Sequence, residues 1–548
     1  MAKKGDHNML LGNAKYFELI RPWAQAALLC VFVAWGFQLR CYNHDDVFIK
    51  GNIYFVDGDC YSRMERVRMI LDHPFTVVRH QDFENYPQGI NSHATAPFDY
   101  LIAFLAVLLK PLSALKLFKY DDVDLAGALV SPLLGVAMIV FAWDWARRLK
   151  LPFSELVLVL LTVSPILIHG TVLGRPDHQS LQMLCVVVAL GAEWAFSQKP
   201  SRGWGIASGA AWGLGLWVSL YEPMVLLAIT VLLYLVFDRR KLWAPERRAG
   251  GIVFVVMLAL MLLIDGLPFS PPDKMLMEYF PRWELNIGEL AHAGIFIGPL
   301  EWAGYALLAA PVLLALRYRE DKRAVAVLVL LLAVWGFTAW QQRWGYFFAI
   351  VFAMALPVFF AVLRKWWIVW PVFLASLWPV YVELHTMTDP PEQRIVFLEE
   401  QKRDTLALRA LAEYLKSSSK DGNGGPHPIL APWWQCPALA YWSGQPTVAG
   451  TSHESMPGIV DTARFYLTTD YEVADKIVRA RHVDWVIAYD SDRVLSDASI
   501  LLNEKADANN ALAAVLYRKW HSAPPLVKVV TYNQEFKVFK VMPEEAPR

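Results

Sequence analysis

Long apolar runs alternate with short polar segments over the first 384 residues, and the alternation stops there. The runs fall at 23–39, 124–145, 154–171, 180–196, 204–220, 223–237, 251–266, 296–316, 324–340, 345–363 and 367–384. A helix crosses the hydrocarbon core of a bilayer in about 20 residues, so this pattern predicts eleven spans. A further stretch, PFDYLIAFLAVLLKPLSALKLF (97–118), is apolar but interrupted by Lys110 and Pro111. It is read as an interfacial or re-entrant helix, because a twelfth crossing there would invert every later loop. After 384 the pattern changes. TDPPEQRIVF reads as a Pro-containing linker, QKRDTLALRALAEYLKSSS has helical periodicity with a charged face, and DGNGGPHP (421–428) reads as a loop. A helix near 471–481, a strand at 485–489 and a hairpin over 529–541 turning at Asn533 follow. The division is therefore 1–384, a transmembrane catalytic domain, and 385–548, an α/β domain of a size that supports its own core.

Composition agrees: 56% of the 548 residues are hydrophobic and 19% charged, against about a quarter charged in ordinary soluble proteins. The formal net charge is zero, which gives a nucleic-acid partner no support. The five cysteines form no CxxC pair and no metal-finger spacing. A disulfide between Cys41 and Cys60 is one option, and free apolar thiols are the other.

Charge orients the spans. RRLK (147–150), KPSRG (199–203), DRRKLWAPERR (238–248), RYREDKR (317–323) and LRKWW (363–367) are short and basic, hence cytoplasmic by the positive-inside rule. The amino-terminal arm joins them, and no cleavable signal peptide is read. The outer loops are then 40–123, 172–179, 267–295 and 341–344, with the C-terminal domain periplasmic or extracellular and the chain multi-pass in the plasma (inner) membrane.

The candidate chemistry gathers on that outer side. VDGDCYSRMERVRMILDHP carries Asp57 and Asp59, GRPDHQS carries Asp177, His178 and Gln179, PRWELNIGELAHAG carries Glu284 and Glu289, and QQRWGYF carries Arg343. Any one such acid reads equally as a solvated loop residue. Oxygen donors from three separate loops on one side suit a hard divalent cation, Mg²⁺ or Mn²⁺. Such a cation offsets charge on a phosphate leaving group, and an Arg on the same face can clamp phosphate. Asp57 competes with Asp59 as ligand, and His178 is a further candidate. Arg63, Arg66 and Arg68 read either as anchors for an anionic lipid head group or as a solvated basic face.

These segments resemble the catalytic subunit of oligosaccharyltransferase, in its single-chain bacterial and archaeal form. DCYSRMERVRMILDHP followed by ENYPQGINSHATAPFDY resembles that family's first loop. LTVSPILIHGTVLGRPDHQS resembles its Pro-ended span with a Gly-x-x-Asp-x-Asp/Glu motif, and NIGEL resembles its Ile-x-Glu element. APWWQCPALAYWSGQPTVAGTSHES and HVDWVIAYD resemble its Trp-Trp-Asp-Tyr-Gly region and the following strand. The resemblance implies a GT-C-like polytopic α-helical membrane protein, about 11–13 transmembrane helices, with a C-terminal mixed α/β soluble domain. It implies Asp59, Asp177 and Glu289 as catalytic residues; Asp59, Asp177, Gln179, Glu289 and His178 as metal ligands; Arg343 at the donor phosphate; and Trp433, Trp434 and Gln435 at the acceptor. Two departures stand out: Gln179 replaces a second acid, and Gln435 replaces the Asp of Trp-Trp-Asp. Paired tryptophans near a membrane surface also serve as interfacial anchors.

The implied activity is metal-dependent transfer of a glycan from a polyprenyl-(pyro)phosphate-linked donor to an acceptor protein at the outer face. The alternatives are a GT-C transferase that modifies a lipid or polysaccharide, and a transporter or flippase. A transporter would place ionisable residues near mid-bilayer between repeated halves, and no repeat is evident.

Overall fold

A computed structural model describes residues 23–116, 119–267, 272–419 and 425–543. The amino-terminal arm and the start of the DGNGGPHP loop lie outside the described residues. Each expected span is helical. In chain order they are α1 (23–40), α2 (Asp122–Arg148), α3 (Glu155–Val163) with α4 (Pro165–Gly170), α5 (Gln179–Gln198), α6 (Arg202–Val218), α7 (Tyr221–Phe237), α8 (Arg248–Ile264), α9 (Ile297–Ala303) with α10 (Ala306–Arg317), α11 (Arg323–Trp340), α12 (Gly345–Phe360), and α13 (Trp366–Ser376) with α14 (Trp378–Thr388). Three of these spans are broken where the residues demand it. Pro165 supplies no N–H and opens a new helix at Ser164. Gly304 takes φ +81, and the pair α9–α10 bends by 80° there. The pair α13–α14 bends by 44° at Leu377, just ahead of Pro379.

α12 fills the centre of the bundle, with Phe348, Ile350, Phe352, Ala353 and Phe359 buried. α8 lies at the edge and exposes Ile252, Val255 and Leu263. An apolar surface of that size on an outermost helix is what lipid covers, and the protein is a multi-pass membrane protein.

The first loop is built, not merely solvated. Asp57 caps the helix Gly58–Asp72, its Oδ1 accepting from Cys60 N at 3.0 Å. The stretch 97–118 contains one helix, Ala96–Ala114, long and apolar enough by itself to cross a membrane. Its surroundings argue for an interfacial course. Ala96 N donates to Asp265 at the end of α8. Only seven residues past Ala114, α2 begins at the level where Asp124 meets Arg68 at 3.1 Å and Tyr441 of the C-terminal region. The eight steps from Ala114 to Asp122 reach at most about 28 Å, close to the core thickness of about 30 Å, and the contacts of Ala96 and Asp124 favour an interfacial course on the side where Tyr441 lies.

That side carries the C-terminal region. The proline linker is shorter than the sequence suggested, because Pro391 starts a helix that runs without a break over Glu392–Ser418. Beyond it, strands β1 (Ile429–Leu430), β2 (Trp485–Ala488), β3 (Val527–Tyr532) and β4 (Lys537–Val541) form a sheet of order β1-β2-β4-β3. β1 pairs with β2 in parallel, and the other neighbours are antiparallel. The hairpin turns at Asn533, whose Oδ1 accepts from Glu535 N and Phe536 N. Cys41 and Cys60 are both free thiols.

Candidate functional site

Four segments from separate parts of the chain converge on the sheet side of the bundle. Asp59 stands in the first turn of Gly58–Asp72. Asp177, His178 and Gln179 lead into α5. Glu289 sits in a single 3-10 turn, Gly288–Leu290, and Arg343 in another, Gln342–Trp344, at the head of α12. The loop 267–295 that delivers Glu289 also carries a helix, Lys274–Trp283, which the sequence reading missed. Its Tyr279 and Trp283 are buried. Trp283 meets Trp433 edge-on at 5.6 Å, and Arg464 donates to the Tyr279 hydroxyl at 3.1 Å.

The acids feel one another. Desolvation, then the charges of Asp57, Asp177 and Glu289, push the Asp59 carboxyl up to about 8, although the side chain stays accessible to solvent. Burial also penalises charge on Asp177, but His178, Arg175 and Arg63 outweigh it and hold that carboxyl well below its usual range. His178 Nδ1 lies 2.8 Å from Asp177 Oδ1, and Arg175 approaches the same carboxylate at 3.5 Å. Gln179 donates through Nε2 to Glu289 Oε2 at 2.7 Å, which joins two of the four segments directly. Arg343 reaches Glu289 at 4.0 Å and Glu222 at 2.6 Å. Glu222 was not singled out in the sequence; it lies in the two-residue break between the apolar runs 204–220 and 223–237 and falls in the first turn of α7. It is buried and also accepts from Gln182 Nε2 at 2.9 Å.

Ligand atoms of Asp59, Asp177 and Glu289 do not all come within 4.8 Å of one another, but two observations suit the donor set to a divalent cation. Gln179 Oε1 is buried with no hydrogen-bond partner, and a buried carbonyl oxygen in that state is a ready ligand. Desolvation, with the charges of Asp57, Asp177 and Glu289 behind it, raises the Asp59 carboxyl, and a cation among these acids would offset that repulsion. His178 is already engaged with Asp177, and Asp57 is spent in part on its cap.

The three arginines of the first loop divide. Arg63 and Arg66 both bind buried Asp99, Arg66 also reaches Gln81 and the Ala94 carbonyl, and Arg68 stacks on Tyr441 with its cation 3.7 Å from the ring centre. Arg66 and Arg68 thus hold the loop together. Arg63 instead joins His93, His178 and Trp217 in lining a cavity of about 50 Å³ beside the acids.

Trp433 and Trp434 line a second, smaller recess in the C-terminal region with Thr462, Tyr466 and Asp497, and Gln435 follows them in sequence outside its lining. Trp433 Nε1 donates to Asp497 at 3.0 Å, and Arg493 packs over Trp434 at 4.9 Å. Trp434 Nε1, Gln435 Oε1 and Thr462 Oγ1 are buried without partners. Asp497, absent from the sequence reading, is the only acid among the described residues that lines this recess.

Against this geometry, residues 112–264 match the family model described as dolichyl-phosphate-mannose-protein mannosyltransferase. A curated relative, dolichyl-phosphooligosaccharide-protein glycotransferase 1 of Archaeoglobus fulgidus, is 24% identical over 156 residues, covering 28% of this chain and 24% of the relative. The archaeal oligosaccharyltransferase AglB of that organism, solved with an inhibitory peptide and a dolichol-phosphate, superposes with a TM-score of 0.65 at 14% identity, over 90% of this chain and 72% of that one. Apo ArnT of Cupriavidus metallidurans superposes with a TM-score of 0.54 at 14% identity, over 95% of this chain and 98% of that one. The chain is similar to oligosaccharyltransferases and related glycosyltransferases over these stretches. The match to the curated relative spans about a quarter of that relative's length, and the structural likenesses establish the GT-C fold.

Proposed function

We propose that the chain is a glycosyltransferase that moves a glycan from a polyprenyl-(pyro)phosphate donor to an acceptor protein. The work takes place on the sheet side, with the basic loops cytoplasmic and the C-terminal region periplasmic or extracellular in the plasma membrane. The observation that carries the reading is the convergence of Asp59, Asp177, Gln179, Glu289 and Arg343 from four segments, tied by the Gln179–Glu289 bond. In the solved archaeal oligosaccharyltransferase structures, one holds zinc and sulfate and another a dolichol-phosphate, ligands of the chemistry this cleft suits.

Asp59, Asp177, Gln179 and Glu289 would hold a divalent cation, Mg²⁺ or Mn²⁺. When bound it acts as a Lewis acid that offsets charge on the departing phosphate. Arg343 and Arg63 hold phosphate oxygens, Arg343 exchanging part of its pairing with Glu222 and Glu289 for the donor. Glu289 orients the acceptor nucleophile and takes up its proton. The nucleophile forms a bond to the anomeric carbon as the bond from that carbon to phosphate oxygen breaks, and the electron pair leaves with the phosphate. Positioning and fixed charge supply most of the acceleration. Trp433, Trp434 and Gln435 bind the acceptor.

A lipid or polysaccharide acceptor is the second reading. It is favoured by the end-to-end superposition on ArnT, a structure of which has also been solved bound to undecaprenyl phosphate, and by Gln435 in place of an acid. Protein reconstituted in liposomes with a polyprenyl-linked glycan and Mg²⁺ or Mn²⁺, offered a labelled sequon peptide or a labelled lipid acceptor, separates the two. Labelled product that persists in Asp59→Ala/Asp177→Ala/Glu289→Ala would defeat the proposal.

A further inference from the structure

We infer that the chain has a second cation site, of different chemistry, made by His93, His453 and Glu454. One ligand atom from each residue lies within 4.8 Å of the other two. His93 comes from the first loop, just before the helix Ala96–Ala114. His453 and Glu454 come from a 3-10 turn of the C-terminal region, His453–Ser455. Glu454 is held in place by the His93 backbone N–H at 2.8 Å and lies 2.9 Å from His93 Nδ1 and 3.6 Å from His453 Nδ1. The two imidazoles face each other with ring centres 4.9 Å apart.

Two imidazoles and one carboxylate form a nitrogen-rich set. Mg²⁺ and Ca²⁺ prefer oxygen donors, whereas Zn²⁺ takes His₂Glu in tetrahedral sites that leave a fourth position for water. The occupant is therefore Zn²⁺ or a similar transition ion, in contrast to the oxygen set of Asp59, Asp177, Gln179 and Glu289. Zinc bonds of about 2.1 Å put tetrahedral ligand atoms about 3.4 Å apart; His93–Glu454 at 2.9 Å and His453–Glu454 at 3.6 Å already lie near that spacing, and a small ring rotation sets the two imidazoles. His93 and His453 are partly solvent-exposed, with side-chain accessibilities of 47% and 36%, and that rotation needs no backbone movement. Both residues stay open to an entering ion. The site fastens the first loop to the C-terminal region at the rim of the cavity that Arg63, His93 and His178 line.

The test uses the full chain in detergent, stripped with a chelator, with Asp59→Asn/Asp177→Asn/Glu289→Gln as background so that the oxygen set does not contribute. This separates the inference from the transferase reading, since no activity is measured. Zinc titration is expected to give one equivalent bound. His93→Ala, His453→Ala and Glu454→Gln are each expected to weaken it at least tenfold, with an unchanged elution volume in size exclusion. His453→Cys is expected to retain Co²⁺ and add a thiolate-to-cobalt charge-transfer band, a positive signal that a misfolded variant would not give. No zinc equivalent in the background protein, equal affinity in all variants, or a Cys variant without the band would overturn the site.

Discussion

Gln179 is the residue where this chain parts most clearly from the acid its motif leads one to expect, and its contacts say what the change does. Its Nε2 donates to Glu289 while Oε1 has no partner, so a neutral amide links Glu289 to α5 without adding charge. Gln179→Glu would set two carboxylates against each other. The metal-free protein is expected to lose about 1–2 kcal/mol from that like-charge contact, whereas Mg²⁺ or Mn²⁺ affinity is expected to rise about tenfold. Calorimetric titration and thermal unfolding with and without the ion read both, and a gain in neither would sever Gln179 from the cation. Asp497 gives a second handle. Burial, opposed by the Trp433 bond and Arg493, pushes its carboxyl up to about 6, above the ordinary value near 3.9. The folded state thus holds the proton more tightly, and stability falls as pH rises from about 4 to about 6, then levels off. Asp497→Asn keeps an acceptor for Trp433 and is expected to remove that slope, worth about 1–2 kcal/mol. Unfolding midpoints that keep the same slope in both proteins would contradict it. At this scale the sequence named Asp59, Asp177, Glu289 and Arg343 through loop side and resemblance together, and their roles are those proposed above. Glu222 and Asp497 were not named, because an acid in a two-residue break between apolar runs or on an ordinary helix carries no local mark.

Among elements, the apolar helices were legible because run length answers directly to bilayer thickness, while their interruptions were not; among the described residues six helices, or up to eight with each bent pair taken as one span, are long and apolar enough to cross a membrane. Hydropathy has no direction, so the breaks at Ser164 and Gly304 had to come from Pro and from a positive φ rather than from the apolar count. The helix Lys274–Trp283 shows the same limit. Read as loop, it folds because Tyr279 and Trp283 bury themselves against Arg464 and Trp433, partners far along the chain. That docking has a consequence for Glu289, six residues beyond Trp283. Trp283→Ala would cut the anchor and widen the range of positions the Glu289 carboxylate visits. Since a displacement of about 1 Å at a reacting group costs on the order of a hundredfold, transfer is expected to fall 10- to 100-fold, mostly in kcat. Trp283→Phe keeps the edge-on contact and is expected to recover most of it. Steady-state kinetics with labelled acceptor decide the matter, and an Ala variant of full kcat would show that Glu289 is positioned by Gln179 and Arg343 alone.

Over the whole molecule, the first loop and the C-terminal region behave as one body, joined by contacts that span more than 360 residues of sequence. Phe83 O accepts from Thr447 N at 2.9 Å, and Tyr86 N donates to Thr447 O at 3.0 Å, an exchange of backbone bonds between the two. Glu84 accepts from Ser455 Oγ at 3.1 Å. Arg481, almost fully buried, grips Asp461 at 2.7 Å on its own side, and Asn85 Oδ1, the Tyr86 carbonyl and Gln88 Oε1 at 3.1, 3.2 and 2.7 Å across the junction. A guanidinium in that position satisfies acceptors that water reaches poorly, so its removal leaves several of them unpaired. Arg481→Ala is expected to cost about 2–4 kcal/mol and to lower the unfolding midpoint in detergent. The two regions should also open together. Limited proteolysis is expected to gain cuts near 80–90 and within the C-terminal region at the same rate, because neither surface stays covered without the other. Cleavage confined to one of them would mean that each packs independently, and that the placement of the first loop beside Trp433 and Trp434 depends on the membrane helices instead of this junction.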